Sequence, residues 1–287
     1  MRISFGVRDA QASRHSLSEK SCPVLNVLAI TKPVMLISPD SGAFPWPAAM
    51  IVWGAGEASS EHRHHSIQLI LALSASLRIR RAENEPWCPC DAALVRADAP
   101  HEVDARGAMV LIAFVEPESA LGAALAERIP ADIAHIPAVE AARWRAAVCA
   151  GGSPSDAAIR RWLEADLLCG RHPPELHPGV QRVLRHVRTH LQEPDTLSLH
   201  ALAVVAGLSP SRLMHAFTDS MGVALRPYLL WLRLQLACGE LTRGASGTEA
   251  ALQAGFADAA HLSRTCRRML GSTPTAIAAS RARSYIG

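Results

Sequence analysis

No stretch of this sequence strings together the roughly 18 apolar residues that a membrane-spanning helix needs, although 49% of the chain is hydrophobic. Its seven cysteines are unevenly spaced through 287 residues, which excludes the disulfide framework of small secreted domains. The N-terminal stretch Met1–Lys20 is mixed and polar, without the apolar core of a secretory leader, so a reducing cytoplasm is the expected compartment. No glycine-rich phosphate cradle and no nucleophile–base arrangement stands out. The chain is therefore not expected to be an enzyme, and no cofactor is implied.

A length of 287 residues suggests two domains, each able to bury a core. The formal charge of +3 is unevenly spread: Glu175–Gly287 carries a net +5 and the remainder a net −2. A basic C-terminal part suits a polyanion. The N-terminal half reads as short strands at Val24–Ile30, Val34–Ser38, Ala48–Trp53, Ile67–Leu73, Ser76–Arg80, Ala92–Ala97, Glu102–Val103 and Met109–Val115. Helical periodicity follows over Glu118–Arg128, Val139–Cys149 and Pro154–Cys169, with Asp132–Pro137 as an irregular link. The prolines of Gly170–Pro178 mark a linker. The expected fold class is α+β with two domains: a β-rich sandwich or barrel over residues 22–169, a linker over 170–178, and an all-α domain over 179–287.

The all-α part is organised around Leu197–Gly222. Leu199, Leu202, Ala203 and Ala206 repeat at helical spacing and Gly207 follows, where a left-handed backbone closes a helix. Ser209 then stands at an N-cap with Pro210 behind it, and a second helix runs to Met221 with Leu213 and Phe217 on its buried side. A helix, a glycine turn and a second capped helix make a helix-turn-helix, whose second helix enters a DNA major groove. The layout returns about 48 residues later as Thr248–Ala254, Gly255-Phe256 and Asp258–Leu270. Between the two units lies Ala224–Leu241, a helix of roughly 27 Å, close to the ~34 Å between successive major-groove faces.

These residues resemble a known family. Ala203, Gly207-Leu208-Ser209, Leu213, Phe217, Gly222, Tyr228, Arg233-Leu234, Ala237, Leu241, Ala251, Gly255-Phe256-Ala257-Asp258, Ser263-Arg264, Arg267-Arg268, Gly271 and Thr273-Pro274 make Leu197–Gly287 similar to the DNA-binding domain of AraC/XylS-type transcriptional regulators. Leu262 and Cys266 depart from the phenylalanines usual there, but both stay apolar. The upstream half more weakly resembles the cupin-like sensor domain of that family, through the histidines before a strand and Ala99-Pro100-His101. The resemblance implies a transcription activator or repressor, double-stranded DNA and a small-molecule effector as partners, a homodimer formed through Glu118–Cys169, and contact with RNA polymerase.

Candidate DNA-binding residues follow from position in the two second helices. Ser211, Met214 and His215 would face base edges and Arg212 a phosphate. In the second unit Ala260, His261, Ser263 and Arg264 would face bases, and Arg267 and Arg268 phosphates. Arg264 is the best candidate reader, since arginine pairs bidentately with guanine. A candidate effector site gathers His62, His64, Gln68 and His101, with His62 and His64 on one face of a strand. Gln68 stands where a metal-binding cupin would carry a glutamate, and glutamine is a weak ligand, so a pocket for an organic effector, or equally a plain surface histidine cluster, is favoured over an ion. Two rival readings remain: a cupin-type metalloenzyme with an appended helical module, and a thiol-based redox regulator using Cys88 and Cys90.

Overall fold

A computed structural model describes residues 43–46, 49–168 and 175–282 of the chain. The expected strands Val24–Ile30 and Val34–Ser38 lie outside the described residues. Among the described residues nine strands form two antiparallel sheets. The larger joins β1 (Ala43–Trp46), β2 (Ala49–Ala55), β3 (Ile67–Ala72), β6 (Ala92–Val95), β8 (Met109–Val115) and β9 (Ile133–His135), in the order β1-β2-β8-β3-β6-β9. The smaller joins β4 (Leu77–Arg80), β5 (Cys88–Cys90) and β7 (Glu102–Asp104), with β4 central. Among the described residues these sheets do not close into a barrel.

Alternation divides the large sheet into two apolar faces. Ile51, Trp53, Leu69, Leu71, Leu94, Leu111 and Ala113 point to one side. There they meet α1 (Ala120–Ala126), α2 (Ala138–Val148) and α3 (Asp156–Trp162), which continues as a π-helical turn over Leu163–Leu168. Trp144 and Trp162 anchor that layer, fully buried, with ring centroids 5.5 Å apart edge to face. Met50, Val52, Ile70, Val110, Ile112 and Phe114 point the other way, towards Leu77, Ile79 and Val103 and on into the C-terminal helices. Gln68 shares this second face, paired across strands with Phe114 and Val95.

The stretch Asp132–Pro137, expected as an irregular link, instead supplies the edge strand β9, because Ile133–His135 pairs with Val95–Ala93 of β6. The strand β5 was also not expected; it is three residues long and edges the small sheet.

The C-terminal part is helical: α4 (Pro178–His190), α5 (Leu199–Ala206), α6 (Pro210–Met221), α7 (Leu225–Arg243), α8 (Gly247–Gln253), α9 (Ala259–Leu270) and α10 (Pro274–Ala282). Local chemistry sets their ends. Ser198, Ser209 and Asp258 accept backbone N–H bonds at the starts of α5, α6 and α9, and Ser246 with Glu249 makes a reciprocal capping box on α8. Gly207 turns the chain between α5 and α6 at φ 65°, a conformation that costs other residues roughly 1–2 kcal/mol. Leu262 and Cys266 are fully buried, so the smaller side chains in place of phenylalanines still serve the core. No helix among the described residues is long and apolar enough to cross a membrane.

Candidate nucleic-acid interface and interdomain site

Helices α5–α6 and α8–α9 are the two helix-turn-helix units, joined by the 19 residues of α7, roughly 28 Å of helix. On α6, Leu213, Phe217 and Met221 are buried, while Ser211, Arg212, Met214, His215 and Thr218 are exposed. On α9, Leu262, Thr265, Cys266, Met269 and Leu270 face inward, and Ala260, Arg264, Arg267 and Arg268 are exposed. His261 and Ser263 are half-buried. Part of each is committed already: the His261 ring sits edge-on to Phe256 at 5.1 Å, and the Ser263 hydroxyl accepts from Arg267 Nη1 at 3.1 Å. Among the described residues no ion pair engages Arg212, Arg264, Arg267 or Arg268. The structure thus places every candidate DNA residue on one of two helix faces, with guanidinium groups available to an incoming anion.

His62, His64, Gln68 and His101 come together, all buried. They do so differently from the strand arrangement expected from the sequence. His62 forms an isolated bridge with His101 and His64 lies in a loop, since β3 begins only at Ile67. The reason is that the backbone around them bonds elsewhere, to the helical part. Ser60 N–H donates to Gly271 O at 3.0 Å, Ser60 Oγ to the same carbonyl at 3.1 Å, and Arg63 N–H to Arg268 O at 3.2 Å. The carbonyls at the C-terminus of α9, left without helical partners, are thereby capped from the N-terminal half. Within the cluster the Gln68 amide head lies 2.7 Å from His64 Nε2 and 2.9 Å from His101 Nε2. The His64 ring stacks on Trp231 of α7 at 5.4 Å. Burial pushes His62 down to about 3, with His64 adding to the effect; burial also pushes His64 down to about 4, against the Gln68 bond, and holds His101 well below the usual histidine range. All three rings are neutral at pH 7.

Three features of this seam were not read from the sequence. His65 is buried with Asp98 Oδ2 at 2.7 Å from Nδ1, and Glu118 Oε1 at 2.9 Å and Met221 O at 3.1 Å from Nε2. Burial opposes its charge, but the bonds to Asp98 and Glu118 outweigh that and raise it to about 9. A cation therefore meets the C-terminal carbonyl of α6, where the helix dipole favours it. Arg188 of α4 donates to Glu116 at 2.6 Å across the same seam. A cavity of about 1000 Å³ opens between the two helix-turn-helix units and the N-terminal half, lined by Arg63, Arg226, Arg233 and Arg268 with Asp98 as its acid. His64 alone of the four candidate effector residues lines it, and Met214, Thr218 and His261 of the reading helices complete its wall. Such long-range pairings leave no local signal; only the excess of arginine was visible beforehand.

Cys88 is exposed and Cys90 half-buried. Burial, reinforced by Asp91, pushes the Cys90 thiol up to about 12, far from the thiolate that redox chemistry needs.

Comparison with known proteins bears on the helical part first. Residues 202–280 match a family model described as a helix-turn-helix domain. Uncharacterized HTH-type transcriptional regulators of Staphylococcus aureus strains MSSA476 and N315 are each 35% identical over 96 residues, 33% of this chain. The chain spans only 13% of the length of these relatives. Among solved structures, ToxT from Vibrio cholerae O395 superposes with a TM-score of 0.51 at 10% identity, covering 81% of this chain and 96% of that one. A second ToxT crystal form gives 0.50 at 9% identity, covering 81% and 97%. The likeness in fold thus covers 81% of this chain, whereas the family model matches residues 202–280. Over residues 202–280 the chain carries a helix-turn-helix domain.

Proposed function

We propose that this chain is a sequence-specific DNA-binding transcription regulator whose α6 and α9 enter successive major grooves of one duplex. The observation that carries this reading is the pair of capped helices held at the two ends of the rigid 19-residue α7, each with an exposed polar or basic face. Arg264 is the base reader of α9, with Ala260, His261 and Ser263 beside it; Ser211, Met214 and His215 serve on α6; Arg212, Arg267 and Arg268 hold phosphates. The N-terminal half acts as a sensor, not as a catalyst. An anionic small molecule with an apolar body suits the interdomain cavity, since four guanidinium groups and the apolar Met214, Leu225, Leu229 and Leu230 line it against a single carboxylate. Because Met214, His261 and Arg268 belong both to that wall and to the reading faces, an occupant would compete with DNA directly.

Selection of bound sequences from a random duplex pool tests the first part. Two short motifs separated by about one helical turn, ~10 base pairs, are expected, and recovery of no sequence preference would overturn it. Adding candidate organic anions to the selected duplex tests the second part: a binding anion should release DNA from the wild type and act more weakly on Arg233→Gln.

A further inference from the structure

One ring nitrogen from each of His62, His64 and His101 lies within 4.8 Å of the others. The hydrogen bonds decide which nitrogens carry lone pairs. His62 Nδ1 sits 2.8 Å from Ser60 O, and His101 Nδ1 3.0 Å from Ala99 O. A carbonyl only accepts, so both Nδ1 atoms carry the proton, and a neutral ring has only one. Nε2 of His62 and of His101 is therefore unprotonated. His64 has Ser66 Oγ 2.7 Å from Nδ1 as a matching acceptor. The Gln68 atom placed against both rings is Oε1, but the site facing His101 Nε2 must donate, so the amide is turned end for end and its NH2 group is shared between the lone pairs of His64 and His101.

The bland account of this cluster is a core network closed by one amide. It gives His62 Nε2 no protein partner: among the described residues this ring is hydrogen-bonded through Nδ1, to Ser60 O, and its Nε2 lone pair stays free. Three neutral imidazoles with Nδ1–H tied to outer acceptors and Nε2 lone pairs converging is what a bound transition ion requires of its histidines. We propose that His62, His64 and His101 bind one divalent first-row transition ion of the zinc class through Nε2, and that this ion fastens Ser60–His65 against the DNA-binding helices.

The ion takes over the lone pairs that the Gln68 NH2 group serves, and rotation of the amide brings its oxygen round as a fourth donor. Metal–nitrogen distances of ~2.0–2.1 Å require the rings to close by roughly an ångström. Two of the three ligands lie in the segment whose Ser60 and Arg63 cap α9, and the third wall is the indole of Trp231 on α7. Binding therefore costs that segment its freedom and holds the seam shut. Glutamine in place of a carboxylate lowers affinity and leaves the site exchangeable, as suits a sensed ion more than a permanent one.

The test uses the full chain, stripped with a chelator and titrated with Co2+ and then Zn2+. One Co2+ per chain is expected, with the intense visible absorption of a low-coordinate site, bleached by stoichiometric Zn2+. Amide exchange in Ser60–His65 and at the end of α9 should slow at least tenfold on loading. His101→Ala should weaken the ion at least tenfold, Gln68→Glu should tighten it, and His135→Ala, on an exposed edge strand, should change nothing. Should His101→Ala fail to fold, the wild-type titration and Gln68→Glu decide alone. A wild type that takes up no stoichiometric Co2+ overturns the site, as does an ion retained undiminished in a folded His62→Ala variant. Loading without slower exchange overturns the fastening.

Discussion

Replacing Gly271 with alanine should part the two halves of the molecule at one point. Gly271 closes α9 at φ 61°, and a methyl group there would lie 2.8 Å from His62 Nδ1 and closer still to the carbonyl oxygen of Ser60. Neither neighbour is the free end of a flexible side chain, so the backbone of Ser60 must retreat. Three hydrogen bonds go with it: two from Ser60 to Gly271 O, and one from Arg63 N–H to Arg268 O. At ~0.5–1.5 kcal/mol each they amount to about 2–4 kcal/mol. The left-handed backbone adds ~1–2 kcal/mol for any residue with a Cβ. Gly222→Ala is the matched control, since Gly222 closes α6 at φ 64° with nothing within 4 Å of the added carbon. It should bear only the backbone cost. Urea unfolding of the two variants, with amide exchange at Arg63 as a local probe, measures the difference. Equal losses in the two variants, with exchange at Arg63 unchanged, would refute the idea that this seam carries stability.

Arg264→Ala should relax preference at one or two base pairs by ~1–3 kcal/mol while sparing non-specific binding, whereas Arg268→Ala should weaken all sequences alike; affinities on single-base variants of a selected duplex separate the two. Affinity should fall with salt, at a slope near −5 in log–log form if about six phosphates are neutralised, and a flat titration would remove phosphate contact from the account. Asp104, paired with Arg106 and Arg78, is held well below the usual carboxylate range by the Arg106 bond first, with burial opposing and Arg78 assisting. A depressed carboxylate stabilises above its unfolded pKa of ~3.9 and loses that contribution as pH falls through the folded value. Asp104→Asn should therefore cost stability at pH 7 and progressively less below about pH 4; a constant difference across that range would show that the ion pairs contribute nothing.

The helix-turn-helix units were legible residue by residue because their determinants are local. Ser209 and Pro210 start α6, Gly207 and Gly222 bound it, and the apolar period of Leu213 and Phe217 settles which face turns inward. The middle strands were legible for a similar reason: β3 and β8 are runs of Ile, Leu and Val long enough to show themselves. What escaped was decided at a distance. Ile133–His135 is too short to announce a strand, and becomes one only because β6 offers an edge. The histidine pair before β3 looks like strand by its alternation, yet Ser60 bonds a carbonyl 211 residues away, and no local pattern encodes such a partner. His65, flanked by residues with the same composition, gains its two carboxylates only in the folded chain. The four candidate effector residues were brought together as a group, but how they divide between an enclosed cluster and an open cavity could be seen only in three dimensions.

The segment Ser60–His65 touches the ends of both reading helices: Ser60 and Arg63 meet the last carbonyls of α9, and His65 meets that of α6. A single rod, α7, fixes how far apart two objects stand but leaves each free to swivel about it. A second brace closes a triangle, and a closed triangle has no swivel. On the proposed reading, the N-terminal half then works as a caliper, setting the phase between two grips on a helical ladder that repeats about every 10.5 base pairs. An ångström of play in the brace becomes an angle at the grips. Operators that fit the braced protein and those that fit the released one would therefore differ in the spacing of their half-sites, while the bases read at each half-site stay the same.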